Sequence, residues 1–273
     1  MFEIFGYQFF QNALVAGILA SIVCGVIGSF VVVKKMVTVS GGISHAAFGG
    51  IGIGYFLGLD PLLGATVFTL GVAGIVGGLR QWASQNIDTI IGAVWAAGMA
   101  VGILFVYLTP GFAPDLFGYL FGNILLVPPG QIALMFMLDA AIVLVVAFFY
   151  HDLVAVTFDE EYARVMNLPV GWLVLLLLVL IALTVVMLIQ VVGIILVIAL
   201  LTLPAAISRE FSSTLLRMMI FAIVLGGCFT TAGILLSYIL DVPSGATIIL
   251  VSTAAYAVVA GRGVIRSSLV RAC

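Results

Sequence analysis

The chain has 273 residues, 64% of them apolar and only 7% charged, with a formal net charge of -2. Nine Lys/Arg and eleven Asp/Glu cannot coat a water-soluble surface of this size, so a soluble globular protein is excluded. The charge balance carries no nucleic-acid signature, and the three scattered cysteines (Cys24, Cys228, Cys273) form neither a disulfide framework nor a metal-spacing motif.

The charges leave empty intervals at 4 to 33, 36 to 59, 61 to 79, 89 to 114, 116 to 138, 165 to 208, 218 to 240 and 242 to 261. Each is near or above the roughly 20 residues that cross a bilayer core as a helix. Runs such as LLLLVLIALTVVML are continuously apolar rather than alternating, which favours helices over a barrel. The fold expected is an all-α polytopic membrane protein of about eight to nine transmembrane helices, with residues 1–273 forming one transmembrane domain.

In chain order, spans are predicted near 9 to 33, 36 to 59, 62 to 79, 89 to 109, 130 to 150, 170 to 189, 191 to 207, 218 to 240 and 245 to 261. The N-terminal MFEIFGYQ lacks a basic stretch, so the first apolar segment is expected to remain as a span. The uncharged region 165 to 208 is too long for one helix, and Gln190 with Gly193 offers a hairpin turn. With that split and the N-terminus outside, Lys34, Lys35, Arg80, Arg164, Arg209, Arg217, Arg262, Arg266 and Arg271 all fall on the inner side. Glu3, Asp60, Asp115 and Asp241 fall outside. The stretch 110 to 129 is apolar enough to dip back into the membrane.

Two ionisable residues lie deep within spans, His45 and Asp139, each roughly 14 Å from a membrane edge at 1.5 Å per residue. Imidazole and carboxylate together suit Zn, Mn or Fe in a transient site. Alternatively, His45 is an interface histidine satisfied by a carbonyl, and Asp139 a structural hydrogen-bonding group. Small residues crowd SGGISHAAFGGIGIGYFLG around His45, which allows close helix approach or a break beside a pathway.

Farther along, FDEEYARVMNLPVG reads as a short amphipathic helix with acid at its start, stopped by Asn167, Leu168 and Pro169. It is either a solvated loop helix or a surface helix that docks into a partner. Pro204, near the inner end of a span, is expected to terminate or bend it.

Taken in order over nearly the whole chain, SGGISHAAFGGIGIGYFLG, LFGYLFGNILLV, FDEEYARVMNLPVG and VGIILVIALLTLPAAISREFS resemble the permease subunit of ATP-binding-cassette importers for divalent metals, the zinc, manganese and iron chelate family. The resemblance implies a multi-pass permease of a prokaryotic cytoplasmic membrane that carries zinc foremost, or manganese or iron, and has no permanently bound cofactor. His45 resembles the histidine lining the metal path at a dimer centre. Many members place an Asp four residues before it; here that position is Gly41, which leaves Asp139, Ser40, Ser44 or the His45 of a second copy to complete the ligands. Segment 158 to 168 resembles the cytoplasmic coupling helix, with Asp159, Glu160, Glu161, Ala163 and Arg164 as docking positions. Gly41, Ser44 and Pro204 are assigned to the pathway or gate.

The implied partners are a second copy or a paralogue, two ATP-binding subunits, an extracytoplasmic metal-binding protein and membrane lipid, with no nucleic acid. The sequence has no GxxxxGK[ST] motif, so hydrolysis is expected on another chain and no enzymatic activity here. The rival reading is a secondary transporter or channel for a small cation, which usually holds several intramembrane acids or bases. An intramembrane enzyme is disfavoured, because no HExxH motif and no Ser/His/Asp set is present.

Overall fold

A computed structural model describes residues 6 to 79, 87 to 110 and 116 to 272. The helices are α1 (Gln8–Val33), α2 (Val37–Phe56), α3 (Pro61–Leu79), α4 (Ile87–Leu108), α5 (Leu116–Phe121), α6 (Pro129–Phe148), α7 (Tyr150–Phe158), α8 (Glu160–Val165), α9 (Val170–Phe211), α10 (Leu215–Leu240) and α11 (Ser244–Ala272). Among the described residues seven helices are long and apolar enough to cross a membrane: α1, α3, α4, α6, α9, α10 and α11 up to Gly261. The chain is an all-α, multi-pass membrane protein. Glu3, Arg80 and Asp115, which entered the predicted orientation, lie outside the described residues.

α9 accounts for two passes. Its 42 residues would extend about 63 Å if straight, roughly twice a bilayer core. With inner and outer named by the predicted orientation, Leu175 and Leu178 near its start pack over Gly77 at the inner end of α3. At its middle, Gln131 Nε2 at the outer start of α6 donates to Gln190 Oε1 at 3.2 Å. Beyond the middle, Leu201 presses on Gly28, five residues before the inner end of α1. The chain therefore runs outward, reverses and returns, and the reversal is at Gly193 (φ 76°, ψ 160°), the one non-helical residue inside α9. A side chain is strained at that φ, and a Cβ there would also strike Gly122, itself at φ 65°. The predicted hairpin is present, and its tip interlocks with the end of α5.

Pro204 does not break the second arm as expected: the arm continues helical to Phe211. Its ring fixes a φ compatible with a helix, and its carbonyl accepts the Ser208 hydroxyl at 2.7 Å.

α1 and the two arms of α9 are the most buried of the seven apolar spans. α1 runs antiparallel to α10, with Gly25 against Ile223 and Gly17 against Thr230. α6 packs beside α1 and leaves Phe136, Met137, Leu144 and Phe148 exposed, as suits a lipid-facing span. At its inner end Phe149 meets Trp172 edge to face at 5.1 Å, a pair typical of the membrane interface.

Candidate functional site

The helix that carries His45, α2, is not among the seven apolar spans, yet fourteen of its twenty residues are buried. It is held between α4 and α3. On one side Gly52 lies against Gly102 so closely that a Cβ would overlap the backbone, and Gly98 meets Ala46; Gly98 and Gly102 form the small-xxx-small spacing that lets spans touch main chain to main chain. On the other side Gly50 meets Gly64 in the same manner. The glycines predicted to serve packing or a pathway thus do the packing, and α2 remains an unbroken helix through His45.

Close approach leaves few positions for side chains, and His45 occupies one of them. Its ring stacks on Trp95 of α4 with centroids 4.2 Å apart and planes 8° from parallel. His45 is half-buried, and its Nδ1 is shielded from solvent without a hydrogen-bond partner among the described residues. The expectation of a histidine satisfied by a carbonyl is not met at that nitrogen. A buried ring nitrogen with a free lone pair or proton is costly unless something completes it.

The surroundings favour an incoming group. Gly41, one helical turn before His45, has open space where a side chain would point. Ser40 donates its hydroxyl to Val37 O at 2.9 Å and Ser44 to Ser40 O at 2.8 Å, so both oxygen candidates bond to their own helix and offer only remaining lone pairs. Trp95 is 40% exposed, and around it α4 turns Gly92, Ala93, Ala96, Ala97 and Ala100 outward. His45 therefore sits beside a face lined with small residues.

Asp139 is elsewhere. It is 4% exposed on α6, with neither carboxylate oxygen hydrogen-bonded among the described residues, and it lies within electrostatic reach of Cys24 on α1. α6 packs on α1 and α9 and shares no substantial contact with α2, so one chain does not bring Asp139 to His45. The expected pairing of the two is not formed within the chain.

The segment predicted to be cytoplasmic divides its predicted docking residues by role. Asp159 caps α8, its Oδ1 accepting from Glu161 N at 2.9 Å and Tyr162 N at 3.0 Å. Glu160 is turned inward to Lys34 at the end of α1, with Nζ to Oε1 at 2.8 Å. Ala163 is fully buried, and Asn167 ends the turn at φ 57°. Glu161 and Arg164 face solvent, together with Phe158, Tyr162, Val165 and Met166, four apolar residues that sequence reasoning does not single out. Their signal is the odd apolar content of a segment too short to span.

The outer end of α2 is tied to α5. Tyr55 and Tyr119 hydroxyls lie 3.0 Å apart with rings edge to face, and Gly245 of α11 packs on the Phe121 carbonyl. Of the stretch predicted to dip back, residues 111 to 115 lie outside the described residues; the rest forms α5, whose end meets the Gly193 reversal, and a short 3-10 turn, Ile124–Leu126, packed on α1.

Residues 6–262 match the family model described as the ABC 3 transport family. The chain belongs to that family. It is 47% identical over 256 residues to an uncharacterized membrane protein of Synechocystis sp., covering 94% of this chain and 91% of the relative. It is 34% identical over 255 residues to the manganese transport system membrane protein MntC of Halalkalibacterium halodurans, covering 93% and 87%. Among solved structures it is similar to PsaBC from Streptococcus pneumoniae in complex with Fab, with a TM-score of 0.84, 32% identity, and coverage of 94% of this chain and 92% of that one. The family places a multi-pass permease, the architecture of these helices, in a bacterial transport system.

Proposed function

We propose that this chain is the permease subunit of an ATP-driven importer of a divalent transition metal, with manganese as the physiological cargo, and that two copies or a copy and a paralogue enclose the path. The observation that carries the reading is His45: half-buried beside Trp95 on a helix wedged between glycine faces, its Nδ1 without a partner among the described residues, next to open space at Gly41. Imidazole suits manganese, zinc and iron alike; the choice of manganese rests on what relatives such as MntC are named for. The small outward residues of α4 suit a second helix at close range, which would bring a second His45 toward the same ion.

ATP hydrolysis is assigned to separate subunits. The exposed Phe158, Tyr162, Val165 and Met166, bordered by Glu161 and Arg164, form an apolar knob with charged edges that fits a groove on such a partner. An extracytoplasmic binding protein would deliver the metal on the opposite side. Neither Asp139 nor Pro204 has a part in this scheme.

The test is metal uptake and ATPase stimulation by the reconstituted complex across manganese, zinc and iron. Manganese is expected to give the largest stimulation, and His45→Ala to abolish uptake while the subunits still co-purify. Normal uptake by that variant would remove His45 from the path, and stimulation by zinc alone would replace the cargo without altering the route.

A further inference from the structure

The charges nearest the cytoplasmic knob do not all point at a partner. Lys34 is the C-cap of α1, and its side chain is only 4% exposed. Its Nζ donates to Val156 O at 2.6 Å, on the last turns of α7, and to Glu160 Oε1 at 2.8 Å, on the first turn of α8. The ammonium therefore joins both helices of the coupling segment to the end of a central span. A charge-assisted pair this sheltered is stronger than an exposed one and holds a defined geometry.

Lys34 also leads directly into the His45 helix. Lys35 takes a left-handed conformation at φ 57°, Met36 N bonds back to Val31 O at 2.8 Å, and α2 begins at Val37. This tight turn has no slack, and His45 lies eight residues into the helix it launches. Displacing Lys34 therefore displaces the start of the His45 helix. By contrast, the link from α8 into α9 passes through Asn167 to Pro169, and α9 packs on many neighbours that would have to move with it.

We propose that the Lys34–Glu160 pair is a transmitting contact, carrying movement of the coupling segment into the α1–α2 turn and so to His45, and that Glu160 is a positioning residue instead of a docking one. This rests on the importer function proposed for the chain. The partner subunit grips the exposed knob of Phe158, Tyr162, Val165 and Met166; the ion pair passes its displacement inward.

The test uses the complete importer in proteoliposomes, measuring metal taken up per ATP hydrolysed. Glu160→Gln and Lys34→Met are each expected to keep the ATPase subunits bound and hydrolysing while uptake per ATP falls about tenfold, in line with the loss of a hydrogen bond to a charged group. Lys34→Arg, which keeps the charge and donors, is expected to retain most of the coupling. Val165→Asp, on the knob, is expected instead to release the ATPase subunits.

Loss of the ATPase subunits from Glu160→Gln would return that residue to the docking surface and overturn the proposal. Unchanged uptake per ATP in both pair variants would overturn it too, as would failure of both to accumulate in the membrane, which would make the pair a folding element. Failure of the wild-type complex to transport any metal is a separate result, and it falls on the importer reading.

Discussion

His45 and Asp139 are predicted at similar depths on different helices, and their surroundings are opposite. The His45 helix is glycine-rich and pressed between two others, and its histidine sits at an edge beside an indole and open space. The Asp139 helix is strongly apolar and mostly exposed, and its aspartate is the group turned inward against α1, next to Met135, Ile142 and Val146. Depth alone marks a costly residue; access for a ligand is what separates a site from a buried polar group.

The interlock of α2 with α4 is where this contrast can be broken most severely. Gly52→Val would drive methyl groups into the Gly102 backbone, which cannot swing aside as a side chain would. Overpacking typically costs about 1–3 kcal/mol, and the upper end is expected here because both surfaces are main chain. Thermal unfolding in detergent should show a clear drop, with uptake lost because His45 and Trp95 no longer stack. Stability equal to wild type would mean that α4 can separate from α2, and the small residues would then be a sliding surface.

Much of the architecture is legible in the sequence, and the misses share a cause. Charge-free intervals set the span boundaries, and the positive-inside count requires a reversal that Gly193 supplies through its backbone angles. The short helix α8 is visible from its acid-first pattern and its stop at Asn167. Glu160 looks solvated in sequence, as a charge on a surface helix does; only the fold brings Lys34, 126 positions away, to 2.8 Å. Asp139 pairs with His45 on depth, and depth along separate helices says nothing about which neighbours they choose. Pro204 shows the limit of a local rule, since a proline near the end of a well-packed helix forfeits one hydrogen bond without ending it.

The open space at Gly41 offers a gain instead of a loss. Position 41 lies one turn before His45 on the same face, and a Cβ added there meets nothing within 4 Å among the described residues. Gly41→Asp should fold normally and place a carboxylate beside the imidazole, raising apparent metal affinity by about tenfold, the scale on which changes around a metal ligand act. The same variant should release metal more slowly, so maximal uptake falls while half-saturation improves. Titration of metal against Trp95 fluorescence would read the first effect directly. Unchanged affinity would mean that the space at Gly41 does not open toward His45.

The smallest effect is expected at Asp139. Asparagine has the same shape and keeps a polar end, and among the described residues no cation or hydrogen-bond donor satisfies the carboxylate that it would replace. An unpartnered buried charge is itself costly, so a neutral group of the same shape does not destabilise, whereas removing one member of a working pair is costly. Asp139→Asn should therefore leave uptake, metal preference and unfolding temperature near their wild-type values, while Asp139→Lys, which forces a long cation between α1 and α6, should prevent assembly. A strong loss of uptake in the asparagine variant would show that Asp139 acts as an ionised group during the transport cycle. It would also dissolve the distinction between the two deep residues, since His45 would then be one polar stop of two.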